Sequence, residues 1–269
     1  MSSSCAAALI LWGTIDPLTT DVPSLNEWWT KEHLPERLYL PGFLRARRYR
    51  ALPSSSTNTD KNDINYLALY EVGELQDLAS SEYVQKLNNP TKRTRQFMPA
   101  LAGMTRKACH VIGLGDVSEW DGEGAKKAAN FLVLIVQPTL PGLEDVKQGR
   151  LVDSLIDALQ KNRSDKCKEC EVMSVRILRP DAKVTQVGSS SKSYDGVGFA
   201  KCQDEGGTLF ALLEISMTPP WEPIVCLKPY LDHIVSSLHE MPNNEGLDRA
   251  HWDIYELIAD LNRDEKITS

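Results

Sequence analysis

The chain has 269 residues and a mass of 30.1 kDa, enough for two ordinary domains or one large one. Apolar residues make up 42% and charged residues 25%, a globular balance that excludes wholesale disorder. A formal charge of −7 and a pI near 5.3 argue against nucleic acid or an anionic membrane as the principal partner.

No apolar run approaches the roughly 20 residues that a membrane helix needs. The stretch Cys5 to Gly13 is too short, and it has no basic region ahead of it, so it reads as a buried strand rather than a leader. A cytoplasmic protein is expected. The six cysteines, Cys5, Cys109, Cys167, Cys170, Cys202 and Cys226, are scattered, and only Cys167 and Cys170 have ligand-like spacing. Without a second Cys or His pair they do not complete a zinc site, so reduced thiols and no metal are expected.

In chain order, Ala6 to Gly13 reads as a strand. A helix capped by Asp21 or Ser24 follows, running to about Leu38. Pro41-Gly42 breaks the chain before a strand over Phe43 to Arg50 and a second over Ile64 to Val72. Helical segments fill Leu75 to Leu101, and Gly103 to Leu114 is a strand. After a linker-like stretch, Gly115 to Lys127, the order repeats. Asn130 to Gln137 is a strand, an amphipathic helix lies within Gly142 to Asn162, and strands cover Glu171 to Leu178 and Leu209 to Ser216. Helix over Trp221 to Leu238 and strand over Arg249 to Leu257 complete the copy, and Asp181 to Gly207 is a long polar loop.

The third strands of the halves share a pattern, Tyr66 to Val72 against Leu209 to Ile215. Two β-α-β-β-α-β units, each ferredoxin-like, are therefore expected. Strands apolar on both sides require cover on both faces, which packing the halves sheet against sheet supplies. The expected fold is α+β, an intrachain dimeric α/β barrel. Its expected divisions are residues 1–114 with the candidate site, a linker over 115–129, and a degenerate second unit over 130–269.

The segment Leu25 to Tyr49 concentrates the chemistry. Leu25, Trp28, Trp29, Glu32, His33 and Glu36 fall on one helical stripe that begins aromatic and turns ionisable. Tryptophans packed on a sheet carry His33 or Glu32 toward the same cleft, and Pro35 predicts a kink or an end to the helix. In the next strand, alternation sets Arg48 at the end of a buried row where it can meet a helix carboxylate. Arg45, Arg47 and Arg50 instead read as positive charge blunting an edge strand. His110 shares a face with Met104, Arg106, Ala108 and Ile112, and His251, Asp253 and Tyr255 share another.

The run Trp29-Thr30-Lys31-Glu32-His33-Leu34-Pro35-Glu36-Arg37-Leu38, with Pro41-Gly42-Phe43 and Arg47-Arg48-Tyr49, resembles the EthD-like branch of the dimeric α/β-barrel superfamily. The Tyr66 to Glu71 strand, Ser81-Glu82-Tyr83 and Pro90-Thr91 fit the same pattern, over roughly residues 8–114. That resemblance implies a pocket between sheet and helices, and chemistry on aromatic or polyketide-like compounds without metal or nucleotide.

The expected activity is cofactor-independent acid/base chemistry on a hydrophobic carbonyl compound: cyclisation, decarboxylation or dehydration in secondary metabolism. His33 moves the proton, Glu32 or Glu36 orients it, and Arg48, Tyr49 and His110 stabilise an oxyanion. Trp12, Trp28, Trp29, Arg37 and Tyr70 bind the substrate. The alternatives are a non-catalytic barrel for small hydrophobic ligands, and a cofactor-free or haem-type monooxygenase. The expected partner is a small hydrophobic substrate, with the chain a monomer or a homodimer.

Overall fold

A computed structural model describes residues 5–53, 64–116, 129–139, 153, 170–194, 207–217, 222–239 and 250–263. The linker-like stretch, the amphipathic helix within Gly142 to Asn162, Cys167 and residues 195–206 of the Asp181–Gly207 loop lie largely outside these residues.

Eight strands dominate: β1 (Ala7–Ile15), β2 (Phe43–Ala51), β3 (Ile64–Val72), β4 (Met104–Asp116), β5 (Phe131–Pro138), β6 (Cys170–Pro180), β7 (Thr208–Met217) and β8 (His251–Asn262). They form one closed antiparallel barrel in the order β1-β3-β2-β8-β5-β7-β6-β4. Read around the ring, the first four strands run β4-β1-β3-β2 and the last four β8-β5-β7-β6, so each half of the chain follows the same spatial order. The halves are not merely stacked face to face. Ladders between β2 and β8 and between β4 and β6 join their edges. Closure leaves no open edge, which corrects the edge-strand reading of Arg45, Arg47 and Arg50: β2 has a hydrogen-bonded neighbour on each side.

Alternation along the strands sends one row inward and one outward. Ala8, Ile10, Tyr49, Leu67, Leu69, Leu132, Leu134, Phe210, Leu212 and Tyr255 fill the barrel interior. At those same inward positions, Arg47, Glu71, Arg176 and Glu214 form a ring of ion pairs. Arg47 pairs with Glu71 and, at 2.5 Å, with Glu214, while Arg176 lies 2.7 Å from Glu71 and 3.1 Å from Glu214. The ring has matching halves: Arg47 stands opposite Leu69, two residues before Glu71, and Arg176 stands opposite Leu212, two residues before Glu214. Burial works against each carboxylate, but the two guanidinium groups outweigh it, holding Glu71 below the usual range and Glu214 at about 2.

The outward rows pack under helices. In the first half these are α1 (Val22–Trp28), α2 (Leu34–Leu38), α3 (Ser81–Asn88) and α4 (Lys92–Phe97), and a further helix, α5 (Ala182–Ser189), packs against β4. Asp21 caps α1 by accepting from the Ser24 amide at 3.2 Å. Gly42 holds φ 81° in the turn into β2, a conformation other residues adopt only at a cost, and a Cβ there meets the Asp77 carboxyl group. In the second half, α6 (Pro223–His239) covers the sheet with Leu227, Tyr230, Leu231 and Ile234. Helix α5 and a short 3-10 turn over Lys192–Tyr194 occupy a stretch read from sequence as loop, and together they carry Val184 and Tyr194 into the first half's core.

Glu214→Gln leaves Arg47 and Arg176 sharing one carboxylate and is expected to cost about 3–5 kcal/mol, read as a lower urea midpoint at pH 7. Because the Glu214 carboxyl lies at about 2 when folded against an ordinary 4.5, its contribution is full above pH 4.5. That contribution is lost as pH falls toward 2, so the gap between variant and wild type should close in acid.

Candidate functional site

The helix carrying His33 does not end at Pro35. It changes pitch, running α1, then one π turn over Trp29–His33, then α2. Proline lacks the N–H that would return to the carbonyl four residues back, and the π turn absorbs the mismatch by bonding the Leu34 amide to the Trp29 carbonyl. As a result both neighbours Trp28 and Trp29 are buried, and so is His33, at 4% exposure. The His33 ring lies 4.7 Å from the Trp28 ring, which in turn stacks on Phe97 at 5.4 Å.

Among the described residues no carboxylate orients this imidazole. Glu32 turns outward to pair with Arg93, and Glu36 lies 3.4 Å from Lys86. The expectation that either would fix the His33 tautomer is therefore not met, because the π turn directs the ring inward and leaves both acids at the rim. His33 Nδ1 has no hydrogen-bond partner among the described residues. Burial first, and then the positive charges of Arg37, Arg48 and Lys86, push its pKa well below the ordinary 6.5, so the ring is neutral at pH 7.

Arg48 is fully buried, as its row predicted, but among the described residues it meets no carboxylate. Its guanidinium donates to Asn26 Oδ1 at 2.7 Å and Thr30 Oγ1 at 2.9 Å, and lies 4.4 Å from the Trp29 ring and 5.0 Å from the Tyr66 ring. Neutral acceptors and aromatic faces compensate a buried cation only in part, and burial pulls its pKa down to about 10. Arg37, also buried, lies over the Tyr83 ring at 5.7 Å. Burial raises the Tyr70 hydroxyl, against the pull of Arg37 and the Trp29 indole, whose N–H approaches it without closing a full hydrogen bond.

His33, Arg37, Arg48, Trp28, Trp29 and Tyr70 thus gather on the outer face of the first half's sheet. Tyr49 and Trp12 do not join them. Tyr49 alternates with Arg48 and points into the barrel, where Trp12 packs edge-on against Phe210 at 5.1 Å. His110 shares the outer row but sits at its far end, 3.8 Å from Asp181 with 40% of its side chain exposed. Asp253 carries a carboxyl raised to about 6 by burial, and Tyr255 faces the barrel interior, while His251 is exposed.

Three residues complete the cluster without having been singled out. Arg106 precedes His110 by two strand positions in the same row; its guanidinium donates to the Tyr83 hydroxyl at 3.2 Å and the Thr185 carbonyl at 3.0 Å, and lies 5.7 Å from the Tyr194 ring. The alternation of Met104, Arg106 and Ala108 carried that signal. Tyr83 was present only as part of a quoted motif, and Tyr194 had none, coming from a polar stretch.

An unprotonated buried base beside guanidinium groups can accept a proton from an acidic C–H or O–H and leave the resulting anion next to fixed positive charge. Among the described residues no group of three or more His, Cys, Asp or Glu side chains is placed to hold a metal ion, and no helix is long and apolar enough to cross a membrane.

The chain matches no protein-family model, and no curated protein matches it. Solved structures do resemble it. An anthrone oxidase-like protein is similar over 98% of this chain and 95% of its own, with 11% identity and a TM-score of 0.51. A provisionally assigned monooxygenase from Fusobacterium nucleatum is similar over 97% and 96%, at 8% identity and a TM-score of 0.48. Chlorite dismutase from Candidatus Nitrospira defluvii is similar over 98% and 95%, at 9% identity and a TM-score of 0.46. At such identities the likeness is one of fold, the dimeric α/β barrel.

Gly188 on α5 lets Arg106 lie flat, since a Cβ built there falls 2.6 Å from the guanidinium carbon. Gly188→Ala is expected to destabilise by about 1–3 kcal/mol in denaturant titration, despite the better helix propensity of alanine. In an Arg106→Ala background the same change should be neutral or stabilising.

Proposed function

We propose that this chain is a cofactor-independent oxygenase for aromatic, polyketide-like carbonyl compounds with an acidic methylene group. The observation that supports it is the burial of the His33 imidazole against Trp28, on the face that carries Arg37 and Arg48, with no carboxylate beside it among the described residues. His33 takes a proton from the methylene. Arg48 holds the enolate oxygen, and Arg37, Trp28, Trp29 and Tyr70 bind the rest of the molecule. The electron-rich carbanion then reacts with O2: the methylene becomes a ketone, one oxygen atom enters the product and the other leaves as water. The whole-length fold likeness to an anthrone oxidase-like protein favours this fate for the carbanion over the cyclisation, decarboxylation or dehydration expected from the sequence. Membership of the EthD-like branch, and a ferredoxin-like tandem with units over 1–114 and 130–269, belong to the same reading. The repeated strand order and the matching halves of the interior ion ring support the tandem.

Haem does not suit the surroundings of His33. The ring is packed against Trp28, and the positive groups that oppose its protonation oppose a ferric ion equally. A Soret band in the purified protein would contradict this. A binding barrel without turnover is the second reading, favoured by the outward turn of Glu32 and Glu36, which leaves His33 without an orienting acid.

Oxygen uptake with anthrone as substrate separates these readings. Stoichiometric uptake that His33→Asn reduces at least about a hundredfold supports the oxygenase, by the usual size of a general-base contribution. Since the base must be unprotonated and its pKa is lowered, kcat/KM should hold as pH falls through 6.5 and drop only below it. Binding without uptake would favour the carrier.

A further inference from the structure

The protein buries arginines in two ways. Inside the barrel, Arg47 and Arg176 each touch two carboxylates, so the charges there cancel. Under the first half's helices, Arg37, Arg48 and Arg106 are 3%, 0% and 3% exposed, yet none lies within ion-pair distance of a carboxylate among the described residues. Arg48 is at least held by Asn26 and Thr30. Arg37 and Arg106 have aromatic, hydroxyl and carbonyl neighbours instead, and among the described residues Arg37 Nη1 and Arg106 Nε are buried without a hydrogen-bond partner, as Arg47 Nε and Arg48 Nε also are. The two flank the same aromatic residue, Arg37 over the ring of Tyr83 and Arg106 at its hydroxyl. Burying a guanidinium without a carboxylate is costly, and the barrel interior pairs Arg47 and Arg176 with carboxylates, so the deficit of negative charge around Arg37 and Arg106 has a use.

We propose that Arg37 and Arg106 form a carboxylate subsite, and that the compound bound beside His33 is an aromatic carboxylic acid. A planar carboxylate matches the guanidinium fork and accepts from both unpartnered N–H groups. Tyr83 lies between the two cations as a spacer, and Tyr194, delivered by the second half of the chain, closes the Arg106 side. The anion anchors the molecule by a group that does not react, while His33 works on a separate methylene. This deepens the oxygenase reading by naming the substrate class, and it rests on that reading for the His33 step alone.

The test is binding of anthraquinone-2-carboxylate against its neutral carboxamide, followed by quenching of tryptophan fluorescence. The carboxylate should bind at least about tenfold tighter, a difference of about 1.4 kcal/mol. Arg37→Gln and Arg106→Gln should each remove that preference, whereas Arg93→Gln, an equal loss of charge at the surface pair with Glu32, should leave it intact. Equal binding of the two probes, binding of neither, or a preference that survives both variants would overturn the proposal. If a variant fails to fold, the wild-type comparison of the two probes still decides. His33→Asn separates the two readings: a retained preference with unchanged oxygen uptake sinks the oxygenase alone, and His33-dependent uptake on a neutral anthrone without any preference sinks the subsite alone.

Discussion

The cost of holding charge away from water shapes both faces of this barrel. Closure of eight strands creates an interior into which every second residue must point, and charge survives there only when paired. The Arg47, Glu71, Arg176 and Glu214 ring meets that condition. Two of its four pairs, Arg47 with Glu214 and Arg176 with Glu71, also tie the halves together. With the interior neutral and filled, the outer face under the first half's helices is where an uncompensated positive cluster and a neutral base are held together.

The two halves use one strand order for different ends. Arg48 stands opposite Ala68, between Tyr66 and Tyr70 on the neighbouring strand, and the corresponding Ile177 stands opposite Ala211, between Leu209 and Leu213. A cation flanked by phenols in one half is thus replaced by aliphatic side chains in the other, where α6 seals the sheet with leucine, isoleucine and tyrosine. The second half nevertheless contributes to the first. Its β6 leads into α5, whose Thr185 accepts from Arg106 through its carbonyl and from the Ala108 amide through its hydroxyl, and the turn that follows carries Tyr194.

Periodicity made much of this legible. Alternation identified the strands and placed Arg48 in a buried row, and the three-and-four spacing of Trp28, Trp29 and His33 put them on one inward face. What it could not supply was long-range. Arg47 looked like an edge charge because its carboxylate partners lie on β3 and β7, distant in sequence. Glu32 and His33 are consecutive and so about 100° apart around a helix, and the turn that buries His33 leaves Glu32 at the rim with Arg93. Tyr49 is adjacent to Arg48 in sequence and in a quoted motif, yet strand pleating sends neighbours to opposite faces. Tyr194 sits in a stretch whose Ser, Gly and Lys content reads as loop, and tertiary packing against β4 overrides that composition.

The whole account turns on the charge state of one ring. Nitrogen chemical shifts of His33 in imidazole-15N-labelled protein, followed through a pH titration, report that state directly. A neutral ring that stays neutral as pH falls below 6.5 is the predicted result. A ring that takes up its proton at or above 6.5 would mean that water or an acid reaches it, and the buried cationic setting argued for here would be wrong.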